Sequence, residues 1–411
     1  MELANPPSIQ PTAALCDCKT GFRAFTGWFV RYPERNMAID FLRGLSILAV
    51  IFSHFNAAGP FAPSAVIPFG FLEGVRANGG LGVSVFFVIS GFLITRNSLE
   101  RFGSLGRTHV GDFYIFRISR ILPVLLLLVA VNLVGAAFVL WGFVIPPSVP
   151  IPKLLGYVFT FRFNLFYLEG PGGLLTAWAP LWSLAIEEVF YLCFPIIAVV
   201  LRRSWLLVPA LLALALYGPY YRHNWGWGAF YLYWGCFDLL ALGCLTALAA
   251  QHFNFPRRPI RVLRALQGGG MAILVVAFFA WDIHATQNWV WLPVAMAVGT
   301  ALFLLGSSSA ATAQPPGFSS RLAWPVSVAG FLSYELYLFH LPVLLLSKTP
   351  VKLLTAALHR LLPDDLVFLP FIVILVILMG LLHTWFSEPS LRFVRRHFSP
   401  ARATRDPAAS L

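Results

Sequence analysis

The chain has 411 residues, of which 58% are hydrophobic and 11% charged, with a mean hydropathy of +0.77. Soluble domains carry about 25% charge, so this composition excludes a soluble globular protein, and the continuous rather than alternating apolar runs exclude a β-barrel. The net charge of +12 does not indicate nucleic acid, because the basic residues gather at the ends of apolar segments on alternate sides, as membrane topology requires.

Residues 1–36 read as a poorly ordered cytosolic tail, with an interfacial helix expected around 22–32. They hold no signal-peptide core followed by a cleavage site, so the first apolar segment is expected to stay in the mature protein. Five cysteines give no disulfide framework, and Cys16-x-Cys18 alone is slight evidence for metal. Ten apolar spans follow, at approximately 38–56, 79–95, 121–143, 181–201, 204–219, 229–250, 269–283, 289–306, 324–346 and 366–386. Threading them with the N-terminus inside puts 21 Lys and Arg residues on the inner side, 7 outside, and Arg43 in the membrane. That bias predicts an all-α polytopic bundle of about ten spans, N-in and C-in. The membrane domain runs over 37–390, and 391–411 form a basic cytosolic tail. Nine of 13 tryptophans fall near the outer face. They read as an interfacial aromatic belt, or in part as platforms for sugar rings.

The first span, DFLRGLSILAVIFSHF (Asp40–Phe55), carries two ionisable groups at membrane depth. Arg43 and His54 are eleven residues apart, which puts them on one helix face about 16 Å apart along the axis. Such groups are costly in lipid and usually face a cavity where something polar is handled. His54 is a suitable general base for a hydroxyl. The Gly- and Ser-rich second span permits close helix approach. Arg117 and Arg120, at i and i+3 in FYIFRISRILP, are either positive-inside anchors or a fork-shaped site for phosphates of an anionic donor. Adjacent Glu187 and Glu188 in LWSLAIEEVFYLCF are expensive to insert. In SYELYLFHLP, His340 repeats the theme of a histidine deep in a span. Glu388-Pro389, in SEPSLRFVRR, reads as the terminator of the tenth helix followed by a basic anchor. Sorted by topology, Arg43, Arg117 and Arg120 lie toward the cytosol, and His54, Glu187 and His340 toward the outer half.

In this order the segments resemble the acyltransferase family 3 of integral-membrane acyltransferases. The resemblance rests on the Arg43–His54 spacing, GVSVFFVISGFLIT (Gly82–Thr95) and the R-x-x-R with ILP over Arg117–Pro123. It extends to WSLAIEEVFYL (Trp182–Leu192) and SYELYLFHLP (Ser333–Pro342). It implies about ten core helices, acetyl-coenzyme A or another acyl-CoA as donor, and a hydroxyl of an extracytoplasmic or membrane-associated glycan or glycolipid as acceptor. It also implies a bacterial inner membrane. Glu335 and Phe339 depart from the family pattern. Some members carry an added extracytoplasmic hydrolase-like domain, and the expectation here is stand-alone, direct transfer without metal. On this reading Arg117 and Arg120 bind the donor and His54 deprotonates the acceptor. Arg43 stabilises developing charge or fixes the pantetheine arm, and Glu187 or His340 orients the acceptor or His54. The alternative class is a transporter or flippase for a lipid-linked sugar or small solute. It explains ten spans and buried charge, but not the motif set. A multi-span glycosyltransferase is a third class, and the loop 57–78 lacks the acidic pair it needs.

Overall fold

Backbone N–H and C=O groups in lipid must pair within their own segment, so apolar runs of this length form helices. The structure, a computed structural model, describes residues 36–58, 69–169, 175–201, 204–280, 282–283, 288–315, 320–358 and 368–398. Its helices are α1 (Met37–Ala58), α2 (Phe69–Asn78), α3 (Gly82–Phe102), α4 (Val110–Ala137), α5 (Ile151–Phe159), α6 (Phe163–Leu168), α7 (Leu181–Val200) and α8 (Ser204–Trp225). They continue as α9 (Phe237–His252), α10 (Ile260–Ala280), α11 (Asn288–Gly306), α12 (Ser320–Phe331), α13 (Ser333–Leu358), α14 (Phe368–Leu382) and α15 (Glu388–Phe398). No strand occurs among the described residues. The expected tail 1–35, the cysteines in it, and the segment 399–411 lie outside the described residues.

Among the described residues, seven helices are long and apolar enough to cross a membrane, and the bent α12/α13 pair makes an eighth. At the positions of the other two expected spans lie the 22-residue α8, which contains Pro209 and Pro219, and the shorter, 16-residue apolar α9. The protein is therefore an integral-membrane helical bundle. Small residues set its closest contacts. Gly91 of α3 lies against the Leu240 carbonyl of α9, and Gly243 of α9 against the Val88 carbonyl of α3. Neither position has room for a Cβ.

Three expectations change. The span expected at 324–346 is broken at Leu332, where α12 and α13 meet at 78°. Gly330 packs on the Asp40 backbone and Ser333 is held by Arg43, so both sides of the bend are tied to α1. Glu388-Pro389 does not end the tenth helix. A π-helical turn over His383–Ser387 leads straight into α15. Proline clashes with the carbonyl four residues back. Here that is Trp385, inside the widened turn, so the helix continues and residues 391–398 are helical rather than the start of a tail. Arg222, threaded as an outer-loop charge, is fully buried. Its guanidinium grips Asp238 through two bonds of 3.0 and 2.8 Å and also donates to the Gly235 carbonyl.

Candidate active site

Helices α1 and α13 run side by side and hold two of the predicted residues each to a partner. Arg43 donates to Asp40 (3.4 Å) and to the Ser333 hydroxyl (2.7 Å). Asp40 lies one turn before Arg43 in α1, and side chains on a helix lean toward its N-terminus. The Arg43 guanidinium therefore points away from His54, which sits about 16 Å further along α1. His54 meets His340 of α13 instead, with ring centroids 5.1 Å apart. His54 Nδ1 bonds the Val50 carbonyl at 2.9 Å, and His340 Nδ1 bonds the Tyr337 carbonyl at 2.7 Å. A carbonyl only accepts, so each Nδ1 carries the proton and each Nε2 presents a lone pair. His340 is 1% exposed, and among the described residues its Nε2 has no hydrogen-bond partner.

A cavity of about 230 Å³ lies between α1, α3, α4, α7, α13 and α15. Arg43, Arg101, Arg117, Arg120 and Arg395 line it, with Glu187 and Glu188 as its carboxylates. The Arg117 guanidinium lies over the Tyr191 ring, 3.4 Å from the centroid. The Tyr191 and Ser90 hydroxyls both donate to Glu187. Glu188 is buried, and among the described residues its Oε1 has no hydrogen-bond partner. Positive charge outnumbers negative, and arginine's planar fork suits phosphate oxygens bidentately. The cavity's chemistry therefore fits an anionic ligand.

Tyr337 joins the two regions. It lines the cavity, its hydroxyl is 2.6 Å from the Ser183 hydroxyl, and its ring lies 5.9 Å from His340. The predicted residues thus fall into two groups. Arg43, Arg117, Arg120 and Glu187 line the cavity, while His54 and His340 form a pair beyond Tyr337. Glu187, expected in the outer half with the histidines, sits in the arginine cavity. Threading by loops fixes helix ends but not side-chain reach, and Arg117 arrives at Glu187 by stacking on Tyr191, one turn along α7. Four further cavity residues were passed over. Ser90 and Tyr191 lie inside the quoted motifs, where small and aromatic residues read as packing. Arg101 and Arg395 read as inner-side anchors. Among the described residues no three His, Cys, Asp or Glu side chains converge to hold a metal ion.

Comparison with known proteins agrees with this architecture. A family model described as an acyltransferase domain matches residues 36–386. The peptidoglycan O-acetyltransferase OatA of Listeria monocytogenes is 29% identical over 358 residues, covering 79% of this chain and 52% of the relative. A putative peptidoglycan O-acetyltransferase, YrhL of Bacillus subtilis, is 29% identical over 342 residues, covering 76% and 49%. A putative O-acetyltransferase of Staphylococcus aureus is 27% identical over 347 residues, covering 78% and 52%. The chain spans about half the length of the curated relatives it matches. No solved structure matches it significantly. With the family model covering most of the chain and its motifs lining one cavity, the protein belongs to the acyltransferase family 3 of integral-membrane acyltransferases.

Proposed function

We propose that this chain is an O-acetyltransferase of a bacterial inner membrane. It moves an acetyl group from acetyl-CoA to a hydroxyl of a glycan or glycolipid on the outer side. The carrying observation is the arrangement of an arginine-lined cavity connected through Tyr337 to a pair of histidines with lone-pair Nε2 atoms. The relatives' names support acetyl as the group and a cell-wall glycan as the acceptor class. The inner-side charge bias supports entry of the donor from the cytosol.

Arg117 and Arg120 hold the donor's diphosphate, and the thioester arm runs along the α1–α13 seam. Arg43 steadies that arm. Its guanidinium is directed toward Asp40 and Ser333, so of its two expected roles the geometry favours this one over oxyanion stabilisation. His54 Nε2 takes the proton of the acceptor hydroxyl as the oxygen adds to the thioester carbonyl. On this reading the Tyr337 hydroxyl donates to the resulting oxyanion. Collapse breaks the carbon–sulfur bond, and the imidazolium returns its proton to the leaving thiolate. His340 positions the acceptor or His54, and Glu187 sets the orientation of Arg117 through Tyr191. Aromatic residues beside Ser183 form the acceptor's approach, with Trp182 and Tyr231 rings 4.7 Å apart.

The test is transfer in proteoliposomes. Acetyl-labelled acetyl-CoA and a soluble muropeptide acceptor should yield an alkali-labile glycan ester that requires the protein. No ester with any glycan acceptor, together with no saturable acetyl-CoA binding, would refute the reading.

A further inference from the structure

The turn between α9 and α10 carries charge that acyl transfer does not use. Arg257, Arg258 and Arg261 are all exposed there, and the charge threading puts them on the inner side. A 3-10 turn spans Phe255–Arg257 and is entered through Asn254 at a φ of +52°. Pro256 and Pro259 bracket the two adjacent arginines, and the fixed φ of proline limits how far that backbone moves. Arg258 Nε donates to the Phe253 carbonyl at 3.3 Å, which closes the turn and leaves its terminal nitrogens outward. Among the described residues none of the three guanidinium groups meets a carboxylate. The chain has no Asp or Glu over 239–281 or 283–334, which takes in α10, α11 and nearly all of α9. Helix α3 also packs on α9, and its Glu100 is held by Arg96 at 2.6 Å.

Apolar side chains flank these charges. Phe253 is 55% exposed, Ile260 52% and Val262 46%. Water would satisfy the arginines but not the phenylalanine, and lipid tails alone would do the reverse. The combination fits the headgroup boundary, where apolar groups enter the acyl region and arginines reach the phosphate plane.

We infer that the α9–α10 turn is a docking surface for an anionic phospholipid of the inner leaflet. Its phosphodiester sits on Arg257, Arg258 and Arg261, and its acyl chains lie against Phe253 and Ile260. Charge complementarity selects this occupant. Three unneutralised cations call for a headgroup with net negative charge, whereas the ammonium of a zwitterionic lipid already offsets its own phosphate. Arginines needed only to set topology are indifferent to headgroup chemistry once the protein is folded, so lipid selectivity separates the two roles. None of these residues lines the arginine cavity, and the surface is independent of the acyl-transfer reading.

The experiment titrates the full chain in detergent with phosphatidylglycerol and with phosphatidylcholine, and reads bound lipid by native mass spectrometry. The wild type should prefer phosphatidylglycerol by about tenfold or more. In the triple variant Arg257→Gln, Arg258→Gln and Arg261→Gln that preference should fall by about fivefold per arginine until it is lost. Arg396→Gln, an exposed arginine of α15, should leave it intact. A wild type that binds the two lipids alike overturns the surface, as does a triple variant that keeps the preference. An equal loss in Arg396→Gln assigns the effect to overall charge and also overturns it. Because the triple variant can fail to insert, hydrogen exchange of the wild type is measured as well. Amides within 253–262 should exchange more slowly in nanodiscs containing phosphatidylglycerol than in phosphatidylcholine alone. No difference there overturns the inference, as does equal protection by inorganic phosphate, which would make the turn a site for free anions.

Discussion

Arg117→Ala separates the two things that one guanidinium does. In the cavity wall it covers Tyr191 at 3.4 Å and lies within electrostatic reach of Glu187 and Glu188. Its removal leaves two carboxylates side by side in a low-dielectric wall. An uncompensated buried charge costs about 3–5 kcal/mol. The lost cation–π contact adds about 2 kcal/mol. On the scale of larger chains, about 2–4 °C per kcal/mol, the variant should melt roughly 10 °C or more below wild type. Its donor KM should rise about tenfold to a hundredfold, the value of a charge-assisted bond. Adding Glu188→Gln removes one of the two stranded carboxyl groups. The double variant should therefore recover most of the melting loss while donor binding stays weak. The assays are fluorescence-monitored unfolding in detergent and donor KM from acetyl transfer. The reasoning fails if the double variant is no more stable than Arg117→Ala, or if it regains wild-type donor binding.

The buried Arg222–Asp238 pair should behave as a structural unit. Arg222→Leu or Asp238→Leu alone should cost about 3–5 kcal/mol by stranding the partner, and the double variant should recover most of it in the same unfolding assay. Gly243→Val should prevent close packing of α3 on α9, because a side chain there meets the Val88 backbone. Little folded protein should then survive detergent extraction. Reporter fusions at Arg107 and in the 253–259 turn should read as cytosolic, and one at Gly228 as external. The opposite pattern at all three would invert the assignment of donor and acceptor faces.

The helical membrane-bundle class and the order of its apolar helices were legible because lipid forces hydrogen-bonded helices onto long apolar runs. The Arg43–His54 face was legible because helix geometry alone sets it. What the sequence concealed depended on tertiary contact. The run 324–346 is long and apolar enough to read as one span, and only its ties to Asp40 and Arg43 reveal the bend at Leu332. Pro389 reads as a helix stop unless the π turn that absorbs it is seen. Arg222 reads as a loop charge until Asp238, sixteen residues on, is found to face it. Glu187 lines the arginine cavity rather than meeting the histidines, because Arg117 reaches it across Tyr191. Arg101 and Arg395 are indistinguishable in sequence from topological anchors, and only their packing on the Phe116 ring brings them together.

The most direct test of the central claim is the turnover of His54→Gln in reconstituted membranes, with acetyl-CoA as donor and a muropeptide as acceptor. Glutamine keeps much of the size and hydrogen-bonding capacity of histidine but cannot take the acceptor's proton. His54 lies away from the arginine cavity, so donor binding should be nearly retained. Turnover should fall by about 10²–10⁴-fold, the contribution of a positioned general base. A folded His54→Gln protein that binds acetyl-CoA normally and transfers acetyl at a near wild-type rate would contradict the account.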